Sequence, residues 1–187
     1  MAAQIILGFV GLPCAGKGMV IDYLVNQREF FYTSTSDEIR VELRRRKEPI
    51  TRDSLQRVAG ELRQEFGPTV LVRRVWKRVS GFKRKKVVID SLRGIEEVEF
   101  LKKQPGFWLV SVLAKPKIRF QRMKVRARAG DPTTWGDFLE NEERDKHAEG
   151  RNIPACLKAA DFELINDSTP EALYQQVEEL LVRIAAS

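Results

Sequence analysis

Short apolar runs alternate along this chain with stretches in which apolar residues recur every three or four positions. Gln4 to Val10 (QIILGFV) is the first run; it ends in Gly11 and suits a strand buried on both faces. From Lys17 the spacing of Val20, Ile21, Leu24 and Val25 predicts a helix, and Phe30 to Thr33 a short second strand. Ser36 is a candidate cap for a helix through Asp37, Glu38, Ile39 and Leu43, which turns basic at RRRK before Pro49. Thr51 is a candidate cap for the next helix, with Leu55, Val58, Ala59, Leu62 and Phe66 on one face and Gly67-Pro68 as its stop. A helix over Val70 to Val79 and a basic turn, SGFKRKK, lead to Val87-Val88-Ile89, a third strand ending in Asp90. Helix is predicted again over Gly94 to Lys103.

Phe107 to Leu113 (FWLVSVL) reads as a fourth buried strand, and Pro116 starts a helix carrying Ile118, Phe120, Met123 and a row of arginines. In AGDPTTWGDF, Gly130, Pro132 and Gly136 break the periodicity, so this stretch is expected to be a mobile loop with helix resuming at Asp137. Phe162 to Ile165 is a fifth strand, and Thr169-Pro170-Glu171 opens a terminal helix. Strands alternating with helices, without repeats, predict an α/β fold: a five-stranded parallel sheet covered by helices on both faces. Right-handed crossovers then gather the loops that follow the strands along one edge, where a ligand binds.

Size and composition narrow the function classes. At 187 residues one domain is expected. No apolar run approaches the ~20 residues that span a bilayer, so a cytoplasmic protein without a membrane partner is expected. The N-terminal run lacks a basic lead and reads as a strand rather than a signal peptide. Two cysteines, Cys14 and Cys156, are too few for a disulfide framework and have no Cys or His at metal spacing. His147 likewise has no partner at catalytic or metal spacing. A net charge of +7 attracts polyanions, which include nucleotides and nucleic acids alike.

The chemistry concentrates in one loop. Gly11-Leu12-Pro13-Cys14-Ala15-Gly16-Lys17 satisfies G-x-x-x-x-G-K between a strand and a helix, the position from which backbone amides converge on a phosphate and a lysine adds a point charge. Such loops ordinarily continue with Ser or Thr, whose hydroxyl touches magnesium, whereas Gly18 and Met19 follow here. Cys14 is open to two readings: a thiol whose thiolate the loop amides favour, or a small residue that fits the turn. Asp90, at the end of a strand, is placed to reach magnesium or its water shell, and Arg93 lies on the same rim. Arg119, Arg122 and Arg126 share one helical face and are either a solvated row or a set that closes over phosphates.

These residues resemble the P-loop nucleoside monophosphate kinases, adenylate kinase in particular. The family's loop reads G-x-P-G-x-G-K-G-T, so glycine after the lysine is its own variant; the resemblance implies that residues 11–19 hold ATP, and that phosphates and waters, not a loop hydroxyl, hold Mg2+. Met19 departs from the family's Thr. Ser34-Thr35-Ser36-Asp37-Glu38-Ile39-Arg40 is similar to the family's S-T-G-D-x-x-R, implying that Thr35 and Arg40 contact the accepting monophosphate. Asp90-Ser91-Leu92-Arg93 is similar to D-G-F-P-R, implying that Asp90 orders a magnesium-bound water and Arg93 binds acceptor phosphate. Arg122 and Arg126 match the arginines leading into the family's lid, and Arg144 a later one. Residues 36–80 then form a helical acceptor-binding segment and 127–150 a lid within one kinase domain.

Three functions follow as expectations. The first is an ATP-dependent nucleotide kinase acting on a small phosphorylated acceptor, in which alignment and charge neutralisation suffice because the acceptor oxygen is already anionic. The second is a dephospho-CoA-kinase-like enzyme, whose hydroxyl acceptor requires a base, with Asp37 the candidate. The third is a nucleotide-switched ATPase that binds RNA or a ribonucleoprotein through RVELRRRK, VRRVWKRVSGFKRKK and KPKIRFQR, with Trp76 and Phe82 available for stacking; solvated helix faces are the competing account of these runs.

Overall fold

The computed structural model describes residues 4–81, 86–128, 130–147 and 150–186, the side chain of His147 excepted. Residues 82–85 of the basic turn, Phe82 among them, lie outside that description.

Five strands form one parallel sheet in the order β2-β3-β1-β4-β5: β1 (Ile5–Val10), β2 (Phe31–Ser34), β3 (Lys86–Asp90), β4 (Phe107–Leu113) and β5 (Phe162–Ile165). Alternation of side chains along each strand sends Ile6, Val87, Ile89 and Leu109 to one face and Leu7, Val88 and Val110 to the other. Both faces are therefore apolar, as a parallel sheet requires. Helices α1 (Lys17–Arg28) and α9 (Pro170–Ala185) cover one, through Val20, Leu24, Leu173 and Val177. The other is covered by α4 (Val70–Val79), α5 (Ile95–Lys102) and α8 (Ile153–Lys158), through Val72, Val75, Val98, Leu101 and Cys156. Two more helices, α2 (Thr35–Arg46) and α3 (Arg52–Phe66), pack with the start of α4 around a small core of their own, made by Ile39, Leu43, Val58, Leu62 and Leu71.

Three local outcomes differ from the sequence reading. Ser34, not Ser36, caps α2: its Oγ accepts from the Asp37 amide at 3.1 Å and donates to Asp37 Oδ2 at 2.8 Å, so strand β2 passes directly into the helix. The stretch expected to be a loop is partly helix. Thr134 Oγ1 accepts from the Asp137 amide, and α7 (Trp135–His147) starts at Trp135, whose ring packs with Phe138 and Phe120 at centroid separations of 5.3 to 5.5 Å. This apolar contact with α6 (Pro116–Arg126) outweighs the glycine at 136. Helix α8 was not foreseen; Asn152 caps it by accepting from the Ala155 amide at 3.2 Å. No helix among the described residues is long and apolar enough to cross a membrane.

Candidate phosphate-binding site

The loop between β1 and α1 leaves the middle of the sheet at the carboxyl ends of the strands. Glycine is needed twice in it. A Cβ on Gly11 would stand 2.5 Å from the carbonyl oxygen of Val112, and Gly16, with φ +105°, would place one 1.9 Å from Asn166 Nδ2. Gly16 leads into α1 without a side-chain cap, and no acidic residue occupies the first turn. The orphan amides of that helix start thus remain available for an anion, and the helix dipole favours one.

Lys17 opens the helix. Its Nζ donates to the Gly11 carbonyl at 2.6 Å, folding the ammonium across the loop. Burial lowers its pKa below the ordinary 10.5; Asp90 opposes that shift and Arg93 adds to it, so all three groups share one electrostatic neighbourhood. Asp90 ends β3 with Oδ1 buried and without a hydrogen-bond partner among the described residues, while the Tyr32 hydroxyl stands 3.5 Å from Oδ2. An unsatisfied buried carboxylate oxygen suits a hydrated cation. Among the described residues no cluster of three His, Cys, Asp or Glu side chains forms a metal cage. Asp90 alone therefore fits a magnesium ion held mainly by phosphates and water. No heavy atom lies within 4 Å of a Cβ placed on Gly18, so the missing hydroxyl at that position is not a matter of space.

Cys14 adopts φ +60°, a conformation that favours glycine. Burial raises its thiol pKa, with Arg126 the main opposing charge, so the loop does not stabilise a thiolate and the small-residue reading stands.

The arginines of α6 separate by role. Arg119 is 3% exposed and spans from the Ala114 carbonyl to Glu142 of α7, itself 9% exposed, with its guanidinium over the Phe138 ring. It fastens two helices together and is turned away from any role over phosphates. Arg122 donates through Nη2 to the main-chain and side-chain oxygens of Asn166 at 3.0 and 3.1 Å, and its Nη1 is buried without a partner among the described residues. Arg126 grips Asp131 through two hydrogen bonds of 3.1 and 2.6 Å.

On the acceptor side Thr35 is buried and its hydroxyl donates to the Ser91 carbonyl at 3.0 Å, tying α2 to the residue after Asp90. Asp37 is occupied on both oxygens, by Ser34 Oγ and by Arg40 Nη1 at 2.9 Å. The Arg93 side chain is exposed on the rim of the cleft and has no hydrogen bond or ion pair among the described residues; partial desolvation and the nearby Arg151 lower its pKa. Arg151, which pairs with Asp145 at 2.8 Å, escaped the sequence reading because its link to Arg93 spans the chain. The Asn152 amide donates to the Arg93 carbonyl at 2.8 Å and holds the two segments together. Arg144 is exposed and bonds to Asn141 within α7.

Several arginines of the basic runs are neutralised within the fold. Arg45 and Arg46 bind Glu42, whose carboxyl these bonds hold down at about 2; Arg46 and Arg57 bind Glu61, Arg74 approaches Glu42, and Arg78 pairs with Glu38.

No model of a known protein family matches the chain. Among solved structures it is similar to a shikimate kinase from Bacteroides thetaiotaomicron, at TM-score 0.61 and 17% identity over 96% of this chain and 99% of that one. It is also similar to a gluconokinase from Sinorhizobium meliloti, at TM-score 0.56 and 14% identity over 100% and 96%. The fold is that of the P-loop kinases. Among curated sequences, a UPF0200 protein of Hyperthermus butylicus is 31% identical over 98% of this chain and 96% of its own, and one of Pyrococcus horikoshii is 32% identical over 97% and 98%. With the kinase fold, the phosphate loop and relatives matched end to end, the chain belongs to the UPF0200 family.

Proposed function

We propose that this protein is an ATP-dependent phosphotransferase, moving the γ-phosphate of ATP to a small phosphorylated acceptor in the manner of a nucleoside monophosphate kinase. The observation that carries the reading is the grouping of three binding elements: the start of α1 with Lys17, which has no side-chain cap, and the Oδ1 of Asp90 and the guanidinium of Arg93, both without a partner among the described residues. The loop amides of residues 11–19 and Lys17 bind the triphosphate. Magnesium, when bound, would neutralise phosphate charge, with Asp90 orienting its water. Arg93, reinforced by Arg151 and by Arg40 at the start of the acceptor segment, binds the acceptor phosphate, and Arg122 and Arg126 supply cations from the lid side. Catalysis then consists of alignment and neutralisation, for which no base is required.

A hydroxyl acceptor, as in a dephospho-CoA kinase, requires a carboxylate free to take a proton. Asp37 is engaged in the helix cap and by Arg40, which weighs against it in that role. An RNA-binding switch draws on basic runs of which Arg45, Arg46 and Arg78 already have carboxylate partners. The experiment is a coupled ADP-release assay across nucleoside monophosphates and dephospho-CoA, with Lys17→Ala as background. The proposal predicts turnover with at least one monophosphate; ADP release that never exceeds that background, or occurs with dephospho-CoA alone, would overturn it.

A further inference from the structure

Asn166 belongs to none of the elements discussed so far as ligand-binding, yet it is 1% exposed and touches two of them, the loop and Arg122. Its amide donates to the Leu113 carbonyl at 2.8 Å, which fixes it against the end of β4. Its side-chain Nδ2 donates to the Ala15 carbonyl at 2.9 Å, inside the phosphate loop. Its Oδ1 and main-chain oxygen both accept from Arg122 Nη2. A guanidinium has only donors and a carbonyl only acceptors, so this pair of partners permits one orientation of the amide: nitrogen to the loop, oxygen to the arginine. The loop accommodates it by having no side chain at Gly16, where a Cβ would come within 1.9 Å of Nδ2. Arg122 is then left with Nη1 buried and without a partner among the described residues, a donor still in need of an acceptor.

We propose that Asn166 is a positioning residue that sets the phosphate loop and Arg122 in register, so that the loop amides and the guanidinium address the same phosphate group. This rests on the triphosphate-binding reading above. Asn166 touches no phosphate itself: it aims Arg122 through one end of its amide and shapes the loop through the other.

The test compares Asn166→Ala, Arg122→Ala and their double variant with wild type, by calorimetric titration of ATP and by melting temperature without ligand. Each single change is expected to weaken ATP binding by about tenfold, and the double change by far less than the product, because both act on one contact. Folded single variants with unchanged ATP affinity, or losses that multiply, would overturn the proposal. Should Asn166→Ala not fold, the nearly isosteric Asn166→Asp carries the decision. Ionised, it repels the Ala15 carbonyl; protonated, it donates to it, so its ATP affinity relative to wild type must recover as pH falls. A ratio that stays flat with pH refutes the proposal. If wild type binds no ATP at all, the kinase reading itself fails, which is a separate result.

Discussion

Lys17 Nζ donates to the Gly11 carbonyl at 2.6 Å, so the ammonium that charges the loop is folded back onto the residue at which the loop begins. A bound triphosphate would have to draw it away, and burial, which lowers the Lys17 pKa, leaves the charge poorly solvated in its absence. In the folded protein the charged form is penalised at every pH below the folded-state pKa, and the penalty fades as pH climbs from that value toward 10.5, where the unfolded lysine loses its proton. Denaturant titrations of wild type and Lys17→Met without nucleotide are expected to show wild type gaining relative stability over that rise. ATP affinity should decline over the same range, because a bound polyanion requires the ammonium.

Arg119 and Arg126 lie on one helix at a spacing of seven, yet their removal should have opposite kinds of effect. Arg119→Ala leaves the Glu142 carboxylate to Lys146, 3.6 Å away, and is expected to cost about 1–3 kcal/mol of stability in urea titrations. Arg126→Ala removes a more exposed pair with Asp131 and should cost under about 1 kcal/mol while weakening ATP binding. A small loss at Arg119 would contradict its fastening role.

The thiol of Cys14 is held above its ordinary pKa by burial, and that of Cys156 is pushed up to about 12. Native protein at neutral pH should therefore react with iodoacetamide at Cys14 more slowly than a free thiol does, and at Cys156 only after unfolding, as read by peptide mass spectrometry. Because Cys14 holds φ +60°, Cys14→Gly should fold within about 1 kcal/mol of wild type, whereas the β-branched Cys14→Val should cost about 2 kcal/mol more.

Much of this architecture is written locally in the chain. The fourth strand lies where FWLVSVL predicts it, at Phe107–Leu113, and α4 covers Val70–Val79, because each is a long apolar pattern bounded by turn residues. The loop from β1 to α1 is legible for the same reason: glycines, lysine, strand and helix are contiguous. Helix α8, at six residues, is too short to establish a period. Ser34 and Ser36 both offer a capping hydroxyl, and only the way β2 runs into α2 chooses between them.

Long-range partners account for what remained hidden. Arg119 and Arg122 are three residues apart with the same side chain; Glu142 draws one into the interior and Asn166 turns the other toward the loop. Within the RRRK run, Arg46 finds Glu61 only when α3 folds beside α2. Arg151 meets Arg93 only when the segment before α8 docks on the end of the β3 loop.

On the proposed function, the loop after β1, Lys17 and Asp90 together bind magnesium triphosphate. Calorimetric titration of ATP, with and without magnesium, into wild type, Lys17→Ala and Asp90→Asn tests it directly. The expected result is saturable binding to wild type that magnesium strengthens, a loss of about tenfold or more in Lys17→Ala, and a weakened magnesium response in Asp90→Asn. Absence of binding to wild type, or equal affinity in all three proteins, would contradict the account.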